Sequence, residues 1–475
     1  MLEDVKTLTK HTITYGIGGI ANGLVRLALI PLISRYISPV SFGVYSLLLM
    51  TISFLFLFFD FGLSYALMRW HNEYDDEKNR SKAVGTALTS MISIGIVLTV
   101  VALFLSSFLS YFLFRTVQYA HLVRIAVSIA LFGSFFQLLL SILRASAKSR
   151  IFVLFTSIRG LSNVILTFTF VISMSLGISG LLWGALLSFC LGTGAFLLLF
   201  RPRFTFTLKI AKGMFGFGLP LMPSNLALWI LTYADIYILK RLTGLQEVGL
   251  YQYAMEICAV IPLMLISFER AWPQFVFSKY KSEGAPVLFQ RVFLIFFTVL
   301  SFTGIGLILF RAEVLSVLAA GAYHESTRVI PLLVCSGILY GAYYVFTTGL
   351  LVSGKTAFLP VITLCAVIIN VSLNLVLIPK YGIVGAGFAT VATNCAMATA
   401  TLLLSNRYYF MSFQWLKILI IGCAGAGMYA LDSFISIPII LKVLLLICVG
   451  IFLYLYVVSG LLGESEHRWS IFQRG

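Results

Sequence analysis

The stretch IPIILKVLLLICVGIFLYLYVV, residues 437–458, contains a single charged side chain, Lys442. A helix rises about 1.5 Å per residue, so about 20 apolar residues cross a hydrocarbon core that is about 30 Å thick. A membrane-spanning β-strand would instead alternate apolar with polar residues, and this stretch does not alternate. It therefore predicts a transmembrane helix.

The rest of the chain has the same character. Of its 475 residues, 60% are hydrophobic and 11% are charged, whereas roughly a quarter of the residues of a soluble domain are charged. We predict an all-α polytopic membrane protein with about 14 transmembrane helices, or 13 if the last two are one broken helix. The predicted spans are 12–34, 43–68, 84–113, 119–143, 151–175, 179–200, 213–239, 247–277, 289–310, 329–353, 358–378, 383–405, 414–431 and 436–460.

Lysine and arginine are distributed unequally between the two sides of the predicted membrane. Of the 33 Lys and Arg residues, 21 fall on one side and nine on the other, and Arg26, Arg159 and Arg270 lie within spans. The richer side is cytoplasmic by the positive-inside rule. We therefore predict a multi-pass protein of the inner or plasma membrane with both termini in the cytoplasm. Its net charge of +16 is assigned to these loops and not to a nucleic-acid surface.

Several classes of protein are disfavoured by what the sequence lacks. The predicted loops are too short for a soluble ATPase domain, and no phosphate-binding GxxxxGK[ST] motif occurs. The seven cysteines have neither zinc-ligand spacing nor the pattern of a disulfide framework. The glycines of YGIVGAGFAT (381–390) open a membrane helix and indicate close helix packing. We expect no cofactor, no metal and no enzymatic activity.

An internal repeat connects the two halves of the chain. SRYISPVSFGVYS (34–46) aligns without gaps on KRLTGLQEVGLYQ (240–252) and places Gly43 on Gly249 and Tyr45 on Tyr251. Repeats of like orientation are a common plan of membrane transporters. We predict an N-lobe at 1–205, a C-lobe at 206–410, and two further helices with a short cytoplasmic tail at 411–475.

Four stretches along the chain carry a family resemblance: ITYGIGGIANGLVRLALIPLISRYISPVSFGVYSLL (13–48), FFDFGLSYALMR (58–69), YADIYILKRLTGLQEVGLYQYAMEI (233–257) and INVSLNLVLIPKYGIVGAGFATVAT (369–393). In this order they resemble the polysaccharide-biosynthesis flippases of the multidrug/oligosaccharidyl-lipid/polysaccharide exporter superfamily. The resemblance implies two six-helix lobes that form a V around a central cavity, with two added helices. It also implies movement of a polyprenyl-pyrophosphate-linked oligosaccharide from the cytoplasmic to the outer leaflet.

A lipid pyrophosphate is anionic, so its passage requires cations that face the protein interior. Three arginines lie away from the loops: Arg26, Arg159 and Arg270. We assign all three to a cationic cavity that binds the substrate. The alternative for each is snorkelling to the membrane surface or a fixed ion pair. Arg270, which follows Glu269 near the cytoplasmic end, is the weakest candidate.

Three acids within the spans, Asp60, Asp235 and Glu256, are candidates for coupling or charge balance. They would neutralise arginines or carry a proton or sodium ion. Asp60 precedes Phe61-Gly62 and has a structural alternative, a hydrogen bond at a local bend. Asp235 either balances Lys240 or Arg241 at the outer end or titrates during the cycle. In a straight helix, Glu256 would share a face with Arg270 about 21 Å away.

Polar, aromatic and proline residues in two spans complete the candidate site. Prolines remove backbone hydrogen bonds, so the seventh span should kink, and residues at i and i+4 share a helix face. The asparagine pair of the eleventh span contacts sugar or forms hydrogen bonds between helices. These cavity or hinge residues are Pro220, Pro223, Asn225, Trp229, Asn370 and Asn374.

Two other functions compete with flipping of a lipid-linked sugar. An ion-coupled multidrug exporter of the same superfamily would require a cavity dominated by acids, which the arginines within the spans disfavour. A membrane polymerase or glycosyltransferase would require a large outer loop, and the predicted outer loops are short. We expect lipid, H⁺ or Na⁺, and other membrane proteins of polysaccharide assembly as partners. The products served would be O-antigen (lipopolysaccharide), capsule or exopolysaccharide.

Overall fold

A computed structural model describes residues 34–318, 321–435 and 437–472, with side chains described as far as residue 456. Within these ranges the regular structure is helical and contains no strand. The α-helices are α1 (Pro39–Asp60), α2 (Leu63–Glu73), α3 (Glu77–Phe104), α4 (Ser106–Phe114), α5 (Ala120–Ala145), α6 (Ser149–Phe168), α7 (Gly177–Phe200), α8 (Leu208–Gly218), α9 (Met222–Leu242), α10 (Leu245–Ile257), α11 (Val260–Lys279), α12 (Ala285–Leu309), α13 (Arg311–Leu318), α14 (Ile330–Phe346), α15 (Thr348–Val352), α16 (Phe358–Tyr408), α17 (Trp415–Ile435) and α18 (Ile439–Phe472).

The predicted membrane spans recur as helices in the described residues. Eleven helical segments are long and apolar enough to cross a membrane, and the pair α10–α11, bent by 55°, brings the number to 12. The 51 residues of α16 form two spans, because Gly382 has non-helical angles of φ 57° and ψ −132°. The described chain therefore contains 13 of the 14 predicted spans, and span 12–34 lies almost wholly outside it. Helices α17 and α18 are separate, so the proposal that they form one broken helix is wrong.

The chain forms two compact units, Met1–Gln252 and Tyr253–Gly475. In the first, α5 is the central helix and packs against α1, α2, α3 and α7. Small residues allow the helices of this unit to pack closely. Gly133 of α5 faces the ring of Phe56 in α1, and Gly184 of α7 faces the backbone of Thr167 in α6. The lobe boundaries at 205 and 410 remain predictions.

In the second unit, α14 packs along α16. Gly387 faces Leu332, and the Asn394 side-chain amide donates a hydrogen bond of 3.0 Å to the Ser336 carbonyl. The glycine-rich start of the twelfth span is therefore a packing surface, as predicted.

Two helices of the first unit are interrupted at defined positions. Phe61 and Gly62, between α1 and α2, have left-handed backbone angles of φ 44° and φ 73°. Gly62 lies so close to Gly218 that a Cβ would be 2.7 Å from the Gly218 Cα atom. A short 3₁₀ turn, Leu219–Leu221, contains Pro220 and separates α8 from α9, whose first turn contains Pro223.

The internal repeat is visible as a two-fold contact between α1 and α10. A Cβ on Gly43 would overlap the Leu245 carbonyl oxygen, and a Cβ on Gly249 would overlap the Pro39 carbonyl oxygen. Gly43 aligns with Gly249 in the repeat, and Pro39 aligns with Leu245. One turn further, the Ser46 hydroxyl donates a hydrogen bond of 3.0 Å to its own repeat counterpart, Gln252. The two copies of the repeat thus present the same positions to each other.

Candidate functional site

The buried carboxylate of Asp235 is bound by a tyrosine. Asp235 lies in α9 with 5% of its surface exposed. The Tyr251 hydroxyl of α10 donates a hydrogen bond of 2.7 Å to Asp235 Oδ2, and the Ile236 amide donates one of 2.8 Å to Oδ1. Among the described residues, no cation lies within salt-bridge distance of the carboxylate, so Asp235 does not pair directly with Lys240 or Arg241. A coupling role for Asp235 remains a prediction.

Two substitutions separate the hydrogen bond from the charge. Asp235→Asn keeps one oxygen that accepts from the Ile236 amide, and its new amide can donate to the Tyr251 oxygen, so we expect a change in stability below about 1 kcal/mol, together with loss of the pH dependence of transport. Tyr251→Phe removes the donor and is expected to destabilise the protein by about 1–3 kcal/mol while the pH dependence is kept. Thermal unfolding in detergent and transport in proteoliposomes at several pH values measure both. Wild-type pH dependence in Asp235→Asn would exclude a titrating role.

An aromatic group in the first unit surrounds Trp229 of α9. Its indole NH donates a hydrogen bond of 3.0 Å to the Ser53 hydroxyl of α1. Its ring centroid lies 4.9 Å from that of Phe54 and 5.6 Å from that of Tyr233. Asn225, one turn before Trp229, is partly exposed. The 3₁₀ turn with Pro220, followed by Pro223, immediately precedes this group, so the interruption of the helix and the polar face occur together.

Arg159 lies about 15 Å along α6 from its first residue, given the rise per residue. Its guanidinium stacks on the face of Phe189 in α7, with the Cζ atom 4.7 Å from the ring centroid. No acid among the described residues lies within salt-bridge distance of it. The alternatives for Arg159 were snorkelling to the membrane surface and a fixed ion pair. The fixed ion pair is absent among the described residues, and an aromatic ring holds the cation at mid-helix.

Arg270 and Glu256 do not share the face of one helix. α10 ends at Ile257 and α11 begins at Val260, with a bend of 55° between them. The expectation of a straight helix is wrong because Cys258 and Ala259 interrupt it. Arg270 is exposed in α11 beside the half-buried Glu269, and Glu256 is buried. Arg26 lies outside the described residues.

Asn370 and Asn374 form a buried pair with 2% and 0% of their surfaces exposed. The Asn374 amide donates a hydrogen bond of 2.9 Å to Asn370 Oδ1, and the Asn370 amide contacts the Thr393 hydroxyl at 3.4 Å. Thr393 lies beyond the Gly382 bend, so the pair connects the two spans of α16. This geometry favours helix packing over sugar contact.

Asp60 is engaged at the break between α1 and α2. Its Oδ1 accepts hydrogen bonds from the Ser64 amide at 3.2 Å and the Ser64 hydroxyl at 2.5 Å. These bonds bind the start of α2, where the first amides lack partners within the helix. The structural alternative for Asp60 is thus present in the geometry, and a coupling role remains a prediction.

The sequence did not identify a charge network in the second unit. Arg311 Nη1 and Lys442 Nζ each lie 2.7 Å from an oxygen of Asp432, and Lys442 Nζ lies 2.7 Å from Glu313 Oε1. The network connects α13 with α17 and α18. Arg311 and Asp432 are 121 residues apart, so no local pattern pairs them.

The comparison with protein families decides the assignment. A family model described as polysaccharide biosynthesis protein matches residues 8–276, more than half of the chain. The chain belongs to this family. Comparison with curated proteins finds no match.

Solved transporter structures share the fold of this family member. The lipid II flippase MurJ, in an inward closed conformation, matches with a TM-score of 0.77 and 17% identity over 95% of this chain and 99% of that one. An inward-facing multidrug resistance MATE family transporter matches with a TM-score of 0.67 and 17% identity over 84% and 99%. A MOP superfamily transporter from Pyrococcus furiosus, described as having a binding pocket of reverse polarity, matches at 0.62 and 17% over 88% and 96%. The chain is therefore an all-α membrane protein that shares the fold of these flippase and transporter structures.

Proposed function

We propose that this protein moves a polyprenyl-pyrophosphate-linked oligosaccharide from the cytoplasmic to the outer leaflet by alternating access. Family membership supports a role in polysaccharide biosynthesis. The solved lipid II flippase is similar over nearly the whole length of both chains. The observation of this chain that carries the proposal is Arg159. A guanidinium held at mid-helix without a protein acid is suited to an anionic ligand that passes by.

Arginine suits a pyrophosphate because its planar fork donates parallel hydrogen bonds to phosphate oxygens. The ring of Phe189 occupies one face of the guanidinium and leaves its edge for the ligand. A cationic drug would be repelled at the same place. Arg159 therefore favours an anionic lipid over the cationic load of a multidrug exporter, and Arg26 and Arg270 remain predicted members of the same site.

We extend the proposal to the setting of the protein. We propose that it resides in the inner or plasma membrane with both termini in the cytoplasm and that it serves an O-antigen, a capsule or an exopolysaccharide. An inside-negative potential favours outward movement of an anion by about 2.3 kcal/mol per charge per 100 mV, so the potential and ion exchange are both available to drive the step.

Arg159→Gln tests the proposal. Because the substitution removes the central cation, we expect at least tenfold slower flipping of a lipid-linked oligosaccharide in proteoliposomes, with the folded fraction unchanged. The matched control is Arg150→Gln, an exposed position at the start of the same helix, which should flip at the wild-type rate. Wild-type flipping by Arg159→Gln would contradict the role of Arg159. Efflux of ethidium by the wild type, without flipping, would establish a multidrug exporter instead.

A further inference from the structure

Three cations meet where two helices of the first unit end. Arg115 directly follows α4, and Lys240 and Arg241 occupy the last turn of α9. Arg241 Nε and Nη2 donate hydrogen bonds of 3.0 and 2.7 Å to the Tyr237 hydroxyl, and Nη2 lies 3.4 Å from the carbonyl oxygen of Phe112 in α4. Lys240 lies within the electrostatic reach of both Arg241 and Arg115.

In the part of the chain that the structure describes, none of these three cations has an acidic partner. Among the described residues, no carboxylate lies within salt-bridge distance of Arg115, Lys240 or Arg241. Each of the two helix C-termini offsets about half a positive charge, which leaves about two of the three positive charges unbalanced. Lysine and arginine are scarce on the outer side by the positive-inside rule, so three of them at one point require a reason.

Exposed aromatic side chains on the surface of the protein lead to the triad Arg115, Lys240 and Arg241. Phe104 is the last residue of α3, Phe108 and Phe112 lie one turn apart in α4, and the three side chains are 86%, 62% and 46% exposed. The Phe108 and Phe112 rings stack with centroids 6.4 Å apart, and Phe112 stacks on Tyr237 at 6.0 Å. The Arg241 guanidinium lies over both of the latter rings, at 5.4 and 5.2 Å. The surface is apolar along its length and cationic at its end.

We propose that the triad Arg115, Lys240 and Arg241 binds the pyrophosphate of the translocated lipid in the outer leaflet, while its isoprenoid chain lies along Phe104, Phe108 and Phe112. The inference rests on the proposed function and adds a release site to it. A pyrophosphate linked at both ends carries about two negative charges, which matches the uncompensated charge of the triad. Tyr237 and the Phe112 carbonyl fix the orientation of Arg241, and Nη1, which donates no hydrogen bond to a described residue, is left for the phosphate.

Photo-crosslinking in nanodiscs of neutral phosphatidylcholine tests the site. The probe is a benzophenone-bearing farnesyl pyrophosphate, and cross-linked peptides are mapped by mass spectrometry. We expect labelling of α4 and the end of α9, with labelling at least tenfold lower in Arg115→Gln/Lys240→Gln/Arg241→Gln. The control Arg328→Gln/Lys380→Gln removes positive charge from other outer positions and should label like the wild type.

The single substitution Lys240→Gln covers the case in which the triple variant unfolds, because Lys240 donates no hydrogen bond to a described residue. It should lower labelling about threefold, as expected for one weakened charge contact. Wild-type labelling in a folded Lys240→Gln or triple variant would overturn the release site alone. Phosphatidylglycerol that competes as well as the pyrophosphate lipid would also overturn it, because it would identify a general anionic-lipid surface. If the pyrophosphate probe labels every part of the chain no more strongly than a benzophenone-bearing farnesol does, the proposed function fails as well.

Discussion

Gly43→Ala is expected to lower the free energy of unfolding by about 3 kcal/mol, the upper range for an overpacked contact. The added Cβ would overlap the Leu245 carbonyl oxygen, which belongs to the backbone of α10 and cannot rotate away as a side chain would. Gly249→Ala should behave alike, because it meets Pro39 in the same way. Thermal unfolding in detergent measures both effects.

Gly194→Ala is the matched control in the same unit. Nothing lies within 4 Å of a Cβ at Gly194, and alanine favours a helix over glycine by about 1 kcal/mol. This variant should be as stable as the wild type or more so. Because Gly43 and Gly249 share one contact, their double variant should be less destabilised than the sum of the two singles. A wild-type melting temperature for Gly43→Ala would show that α1 and α10 do not touch in the protein.

Asp432→Leu should destabilise the second unit by about 3–5 kcal/mol, the range for loss of one partner of a buried ion pair. Asp432 contacts both Arg311 and Lys442, and the side chains of Asp432 and Lys442 are 5% and 4% exposed. Without this carboxylate, the buried Lys442 keeps only Glu313, and Arg311 keeps no acid among the described residues. The melting temperature in detergent should fall, and proteolysis should cut earlier near α17.

Glu325→Gln is the matched control, because it removes a carboxylate from a solvent-exposed ion pair in the same unit. Arg328 Nη1 lies 3.1 Å from Glu325 Oε2, with side chains 65% and 56% exposed. Exposed pairs of this kind contribute at most about 1 kcal/mol. Equal destabilisation by Asp432→Leu and Glu325→Gln would contradict the buried network.

The sequence predicted the spans because apolar runs and their charged ends are local signals. It also indicated two interruptions, a local bend at Phe61-Gly62 and a proline break at Pro220 and Pro223. It did not predict the break after Ile257, which depends on one or two residues within a run that remains apolar. The family resemblance was also correct, since the model of the polysaccharide biosynthesis family matches residues 8–276.

The side-chain partners in the site were less predictable. Lys240 and Arg241 were the nearest opposite charges to Asp235 in sequence, but the contacting group is the neutral hydroxyl of Tyr251, which a charge pattern does not indicate. Arg159 was identified because a lone cation in a span is conspicuous, whereas its stacking partner Phe189 is one phenylalanine among 41.

The contact of α1 with α10 has a consequence for how such a chain can be assembled. An interface in which Pro39 meets Gly249 and Leu245 meets Gly43 has the form of an isologous dimer, where each surface recognises its own copy. If two identical half-length chains formed this interface, the residues that meet at the symmetry axis would have to be identical. Fusion of the halves removes that restriction, and the serine at position 46 opposite the glutamine at position 252 is a pairing that two identical subunits could not make at a single axis.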